Sequence, residues 1–249
     1  YARSSQILLD LEDADRMVGA QHATPRGTLK LYANTALVRF LVPVIDEFVT
    51  LFPAVSLNLT AGERMIDLVE DGFDLAIRPI PLPDSSLVVR LLTSWRHILC
   101  CSPSYLETYP APARLADLAH HNCLQYAFYP YGEEWRFEGT NGQHESVRVS
   151  GNLLTNSAEA MRTLCLNGRG IWLAPSFVVA EDIASGRLVR LLPQHRPPEF
   201  PINAIYPHRH HLSTKVRSFI DLLAQRFAAH RQWMHPTPEV PPPEPAASA

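Results

Sequence analysis

The sequence holds few cysteines, no long apolar run and no excess of either charge, and each shortage removes a class of function. Its four thiols, Cys100, Cys101, Cys123 and Cys165, show no C-x-x-C spacing. That excludes a disulfide-stapled secreted scaffold and suits buried thiols in a reducing compartment. No stretch is apolar for the length a membrane-crossing helix needs, and Asp10, Glu12, Asp13 and Asp15 crowd the amino end, which reads neither as a signal peptide nor as an anchor. A cytoplasmic protein with no membrane partner is expected. A formal net charge of -3 gives these residues no electrostatic reason to hold DNA unaided. There is no glycine-rich phosphate loop, neither Ser157 nor Ser176 sits in G-x-S-x-G, and no acid and base are paired by spacing, so the residues specify no enzyme.

What is there is an ordinary globular composition, 46% hydrophobic over 249 residues, enough for one large or two small domains with real cores. The chain is organised around Gly27 to Pro53. Thr28 to Ala33 alternates polar and apolar residues and ends in Asn34-Thr35, after which Leu37, Phe40, Leu41, Val44, Phe48 and Leu51 follow the helical period. Pro43 predicts that the regular helix starts near Val42, after an irregular turn. A strand end therefore meets a helix start, which is where ligands bind in open α/β sheets. The unit repeats. Val55 to Leu59 reads as a strand ending at Thr60-Ala61-Gly62, Met65 to Val69 as a short helix stopped by Gly72, and Leu75 to Ile77 as a buried strand, which together predict a parallel sheet.

Two strands, Leu87 to Leu92 and Arg96 to Cys101, then lead away. A second α/β pattern follows: strands at Cys123 to Tyr126, Trp135 to Phe137 and Val147 to Val149, with a hairpin turn at Thr140 to Gln143. Asn156 with Glu159 has capping-box spacing for a helix ending near Gly168. Ile171 to Ala174 is a strand, Pro175-Ser176 enters another helix, and Leu188 to Leu192 is a further strand. Ile202 to Tyr206 returns the chain, and Val216, Phe219, Ile220, Leu223 and Phe227 mark one face of a long last helix. The resulting division is 1 to 24 for a linker helix and linker, 25 to 97 with 205 to 234 for subdomain I, 98 to 204 for subdomain II, and 235 to 249 for a disordered proline-rich tail. His120, His121, His208, His210 and His211 offer imidazoles, but adjacent turn histidines without a further ligand are read as solvated, so no metal and no cofactor are expected. Trp135, Tyr126, Phe128, Tyr129 and Tyr131 read either as a cleft rim or as cover for the hairpin.

The order of motifs resembles a known family. The strand ending in Asn34-Thr35, then LVPVIDEF, LVEDGFDLAIRP, LPDSSLVVRLL, CSPSYLE, LADLAHHNCLQY, NGRGIWLAP, GRLVRLLP and STKVRSFIDLL together are similar to the effector-binding domain of LysR-type transcriptional regulators, over about residues 25 to 228. The resemblance implies two Rossmann-like subdomains of the periplasmic-binding-protein type 2 kind. They are joined by crossover strands at Arg96 to Cys101 and Ile202 to Tyr206, with a small effector between them. It also implies a homodimer or homotetramer, and DNA contact only through a winged helix-turn-helix that residues 1 to 20 would link. Candidate effector contacts are Asn34, Thr35, Thr60, Ala61, Gly62, Arg78, Ile80, Cys101, Tyr126, Asn156, Ser157 and Pro175. Helix amino ends favour an anion, so a small carboxylate is the expected ligand, with Thr35 and Asn156 facing it from opposite subdomains. Arg78 is either a bidentate clamp or an ion pair with Asp74 or Asp84. Val38, Ile45, Val49 and Phe52, off the main stripe, would supply a dimer surface, with Ser218 to Gln225 as the alternative. A solute-binding protein of a transport system is the competing function, and a small-molecule enzyme the third.

Overall fold

The period change at Asn34 has the structural result expected of it. In the computed structural model, which describes residues 24–64, 66–79, 87–139, 143–208 and 212–230, strand β1 (Gly27–Ala33) gives way to a 3-10 turn (Thr35–Leu37) and then helix α1 (Val38–Leu51). The linker helix and residues 21 to 23, Met65, Ile80, Asp84, most of the PIPLPDSS loop, the tip of the 140 to 143 turn, His210, His211 and the proline-rich tail lie outside the described residues. The α-helix begins at Val38 and carries Pro43 within it, earlier than the proline suggests. Pro43 is exposed, so the carbonyl that loses its N–H partner can turn toward water. Leu37, Leu41, Val44 and Phe48 are buried as the stripe predicts, but it stops there, with Leu51 56% exposed in the last turn.

The chain divides into two units, one ending at Thr93 and resuming over Ile202–Ala229, the other Ser94–Pro201. In the first, β1 pairs in parallel with β2 (Val55–Ala61) and β3 (Leu75–Arg78), and β3 pairs antiparallel with β11 (Glu199–Pro207). Between β2 and β3 the expected short helix is a turn. The Asp67 carboxylate accepts the N–H groups of Val69 and Glu70, each at 2.9 Å, which competes with helical bonding in so short a segment. The last helix, α5 (Thr214–Ala229), lies against α1: Phe227 stacks on Phe40 at 4.4 Å between centroids and Phe219 meets Phe48 edge-on at 5.1 Å. Phe48, Phe219 and Phe227 are almost wholly buried, each contributing roughly 1.5–3 kcal/mol through removal from water. Arg226 and Glu47 tie the same two helices by an ion pair.

The predicted pair of strands at 87 to 101 is one continuous strand, β4 (Leu87–Cys101), since Thr93, Ser94 and Trp95 contain no breaker and tolerate extension. It passes from the first unit into the second. There it pairs antiparallel with β9 (Ile171–Pro175), which in turn pairs in parallel with β5 (Cys123–Tyr126), and β5 with the short β8 (Leu154–Thr155). Helices α2 (Pro103–Thr108), α3 (Ala158–Leu166) and α4 (Ser176–Ala184) cover this sheet. The hairpin β6 (Glu134–Glu138) and β7 (His144–Arg148) places Trp135, Phe137 and Val147 in the core with Leu115, Leu118 and Leu173. The expected strand at 188 to 192 shrinks to β10 (Val189–Arg190), because Leu192 has a φ of 45°, a left-handed conformation that no strand continues through. All four cysteines are free and buried.

Candidate functional site

Parallel pairing in register sets the carboxyl ends of the first unit's strands side by side, Tyr32 with Thr60 and Ala33 with Ala61. The chain leaves β2 through Gly62, whose N–H donates to the Ala33 carbonyl at 3.0 Å, so residues 62 to 64 pass directly beside Asn34 and Thr35. Asn34 is 7% exposed. Its Oδ1 accepts the Ala36 N–H at 3.0 Å and caps the 3-10 turn, while its Nδ2 donates to Oε2 of Glu63 at 2.5 Å. Thr35 donates to the other oxygen, Oε1, both from its N–H at 3.2 Å and from its hydroxyl. One carboxylate thus collects three donors at the end of β1. Sequence reasoning missed Glu63; its only signal was an acidic residue directly after a predicted strand end.

Arg78, at the end of β3, belongs to the same cluster, where its guanidinium bonds to backbone carbonyls. Its Nη1 donates to the Arg64 carbonyl at 3.0 Å and its Nη2 to the Glu63 carbonyl at 3.4 Å. The Tyr32 hydroxyl reaches the same Arg64 carbonyl at 3.1 Å, and the guanidinium lies 5.9 Å from the Tyr32 ring centre. Burial raises the Tyr32 pKa above that of an ordinary phenol, with the Arg78 charge opposing, so the hydroxyl remains a neutral donor. Asp74 instead accepts from the Lys30 N–H and pairs with Lys215. Asn34, Thr35, Thr60, Ala61, Gly62 and Arg78 are therefore brought to one edge of the first unit, and Ile80 lies outside the described residues.

In the second unit Tyr126 and Thr155 are register partners, so Tyr126, Asn156 and Ser157 gather at one sheet end. Asn156 is not the cap. The α3 cap is Ser157, whose hydroxyl accepts the Ala160 N–H at 3.2 Å, because the helix begins one residue later than the Asn156–Glu159 spacing suggests. Pro175 closes β9 opposite His97. Cys101 does not join an accessible site. It is fully buried beside Leu173 and Tyr105, and burial pushes its thiol up to about 12. The aromatic group divides: Trp135 and Tyr129 are buried, Arg136 lies 4.0 Å over the Tyr131 ring, and Phe128 is 49% exposed. A cavity of about 510 Å³ lies at the amino end of β5, lined by Tyr109, His120, His121, Asn122 and Asn152, away from the predicted contacts. Among the described residues no cluster of three or more His, Cys, Asp or Glu could hold a metal ion, and no helix is long and apolar enough to cross a membrane.

The family model of the LysR substrate binding domain matches residues 22–228. The chain belongs to the LysR family of transcriptional regulators. DmlR, an HTH-type transcriptional regulator of Escherichia coli, is 32% identical over 92% of this chain and 75% of its own length, and the activator TtdR of E. coli is 33% identical over 90% and 72%. Among solved structures, the regulatory domain of CrgA, a LysR-type regulator from Neisseria meningitidis, is similar at 32% identity and a TM-score of 0.73, covering 81% of this chain and 98% of that one. Whole CrgA is similar at 30% identity and a TM-score of 0.74, covering 90% and 76%. The fold is accordingly that of the LysR effector-binding domain, α/β subdomains of the periplasmic-binding-protein type 2 kind. The relatives are regulators, which sets aside the transport receptor as the alternative, and the family is regulatory in character.

Proposed function

We propose that this LysR effector-binding domain senses a small carboxylate, received in its first unit at Asn34 and Thr35, as part of a cytoplasmic regulator. The observation that carries the reading is the Glu63 carboxylate. An amide, a backbone N–H and a hydroxyl converge on it, so the donor set already suits a carboxylate in shape and in hydrogen bonding. An effector carboxylate takes those donors in place of Glu63. Gly62 and Arg78 contribute by fixing the path of the neighbouring loop.

DNA contact belongs in this reading to a helix-turn-helix domain of the whole regulator, as the names of the relatives suggest. The effector acts by its differential affinity for conformations that present such domains differently. A second copy would dock on Val38, Ile45, Val49 and Phe52, which are only half-buried. The test is a thermal-shift screen of small carboxylates, in which a ligand at a hundred times its dissociation constant adds about 2.7 kcal/mol to the native state. Thr35→Val should weaken the best hit by roughly 1–3 kcal/mol. A hit whose affinity ignores Thr35→Val would place the effector elsewhere. Sedimentation of the same protein at high micromolar concentration tests self-association, and a pure monomer would refute it.

A further inference from the structure

The parallel strands of the second unit begin side by side. Cys123 of β5 is the register partner of Ile171 of β9, and Gln125 that of Leu154 of β8, so residues 122, 152 and 170 meet at the amino end of this sheet. Tyr126, Asn156 and Ser157 gather at the opposite end. Asn122 joins the three segments: its Nδ2 donates to Oδ1 of Asn152 at 3.0 Å and to the Arg169 carbonyl at 2.6 Å, and its Oδ1 accepts the Asn152 N–H at 3.0 Å. Gly151 and Gly170 allow so close an approach, since a Cβ on the first would collide with the Cys123 carbonyl oxygen and a Cβ on the second with that of Asn122. A fixed floor therefore underlies the cavity of about 510 Å³ at Tyr109, His120, His121, Asn122 and Asn152. Small-molecule sites span about 300–1,000 Å³.

One wall is an aromatic ring. Tyr109, 48% exposed, stacks on the buried Tyr105 at 4.8 Å between centroids, so one face of its ring is covered and the other has no ring partner among the described residues. His121 is oriented from behind. The Tyr105 hydroxyl accepts the Asn122 N–H at 3.3 Å and lies 3.0 Å from His121 Nδ1, the one acceptor for its own proton among the described residues. Nδ1 therefore accepts, which assigns the proton of the neutral imidazole to Nε2, a donor with no protein partner among the described residues. Burial lowers the His121 pKa, with the Asp117 charge opposing and His120 adding to the shift, so at neutral pH the ring is uncharged. Asn152 spends its Oδ1 on Asn122 and keeps both Nδ2 hydrogens to donate. No Lys, Arg, Asp or Glu is among the described residues that line the cavity.

We propose that this cavity is a second ligand site of the domain, for an uncharged planar heterocycle with separated hydrogen-bond acceptors, such as a pyridine carboxamide. The heterocycle stacks on the open face of Tyr109, one acceptor takes the His121 Nε2–H and another the Asn152 amide. The two donors come singly from different segments. At Glu63 three donors converge on one carboxylate, whereas here they are spread as a ring with two acceptors requires. Tyr105 acts as a positioning residue, since its hydroxyl sets which nitrogen of His121 donates.

The test is titration of the ¹⁵N-labelled chain with nicotinamide and, separately, with cyclohexanecarboxamide, which carries the same amide on a ring without a π-face. The readout is the His121 imidazole in long-range ¹H–¹⁵N spectra, assigned by its loss in His121→Phe. The unliganded ring should show protonation at Nε2, nicotinamide should move its resonances saturably, and cyclohexanecarboxamide should bind at least about fivefold more weakly. Tyr109→Leu removes the stack and Asn152→Asp removes the amide donors while keeping the oxygen that Asn122 bonds. Each should weaken nicotinamide roughly fivefold or more while thermal unfolding stays cooperative. A ring protonated at Nδ1, resonances that nicotinamide does not move, equal binding of the two amides, or nicotinamide binding unchanged in a folded Tyr109→Leu or Asn152→Asp would each overturn the proposal. Shifts confined to the Thr35 amide would likewise overturn it, while leaving the carboxylate reading of the first unit in place.

Discussion

Replacing Glu63 with alanine should raise the affinity of the first unit for a free carboxylate. In the native chain the Glu63 carboxylate takes the Asn34 amide at 2.5 Å, the Thr35 N–H at 3.2 Å and the Thr35 hydroxyl. Each such bond is worth about 0.5–1.5 kcal/mol net, and the two from Thr35, an exposed residue, belong at the low end. Their sum of about 2 kcal/mol is what an outside carboxylate must overcome, so its removal should tighten binding by roughly 30-fold. The assay is titration with succinate at fixed ionic strength, since exposed charges are screened by added salt. The Thr35 amide resonance follows occupancy. A loss of unliganded stability of the same size, about 2 kcal/mol in a urea titration, should accompany the gain. Equal succinate affinities in the native chain and in Glu63→Ala would refute the competition, and a perturbation that bypasses Thr35 would refute the site.

Asp182 is fully buried and held by Arg162 at 2.6 and 2.8 Å and by Arg187 at 2.6 Å, so replacing both arginines with methionine should cost about 3–5 kcal/mol in denaturant unfolding, and adding Asp182→Leu should recover most of it. Ser157→Ala should cost about 1 kcal/mol of stability whereas Asn156→Ala stays within about 0.5, and the reverse ranking would restore Asn156 as the α3 cap. His97 titrates near 6.5 when unfolded and near 3 when native, so below pH 6.5 the unfolded chain takes up a proton that the folded one refuses. That contribution is complete above pH 6.5 and is lost as the pH falls toward 3. Between pH 6.5 and 5, above the range of the lowered carboxylates Glu47, Asp117 and Glu134, His97→Phe should flatten the stability curve by up to about 1.4 kcal/mol per pH unit. His121, shifted the same way, keeps its share.

The strand ends were legible because a change of period is local. The alternation through Ala33 and the helical spacing from Leu37 need no knowledge of the rest of the chain, and the parallel arrangement of β1, β2 and β3 follows from the long crossover connections between them. The misses came where two local preferences compete. At Asp67 the side chain bonds the backbone before a helix can form, at residues 156 and 157 two polar residues could each cap and the second does, and at Pro43 the surrounding helix tolerates a residue that would stop an isolated one. Leu192 was beyond reach, since nothing about leucine announces a positive φ. The burial of Trp95 and His97 had a signal, alternation with Arg96, but which ring nitrogens it leaves unpaired among the described residues is a property of packing and not of the sequence.

Arg78 shows most clearly why a site cannot be read from residue types alone. A cation at a strand end invites pairing with an anion, yet this guanidinium serves two backbone carbonyls, and the Tyr32 hydroxyl adds a second donor to one of them. Those bonds hold residues 62 to 64 against β1. The approach is so close that a Cβ on Gly62 would lie 2.5 Å from the Tyr32 hydroxyl oxygen and 3.2 Å from the ring carbon that bears it. Only glycine fits there without moving a tyrosine that is itself 3% exposed. Glycine, tyrosine and arginine thus act together to set where the Glu63 carboxylate stands. The charge of Arg78 is spent on positioning, so a carboxylate at Asn34 and Thr35 is met chiefly by neutral donors. Neutral donors are selective for geometry more than for charge, which fits the proposed reading of this site as a receiver of a small carboxylate.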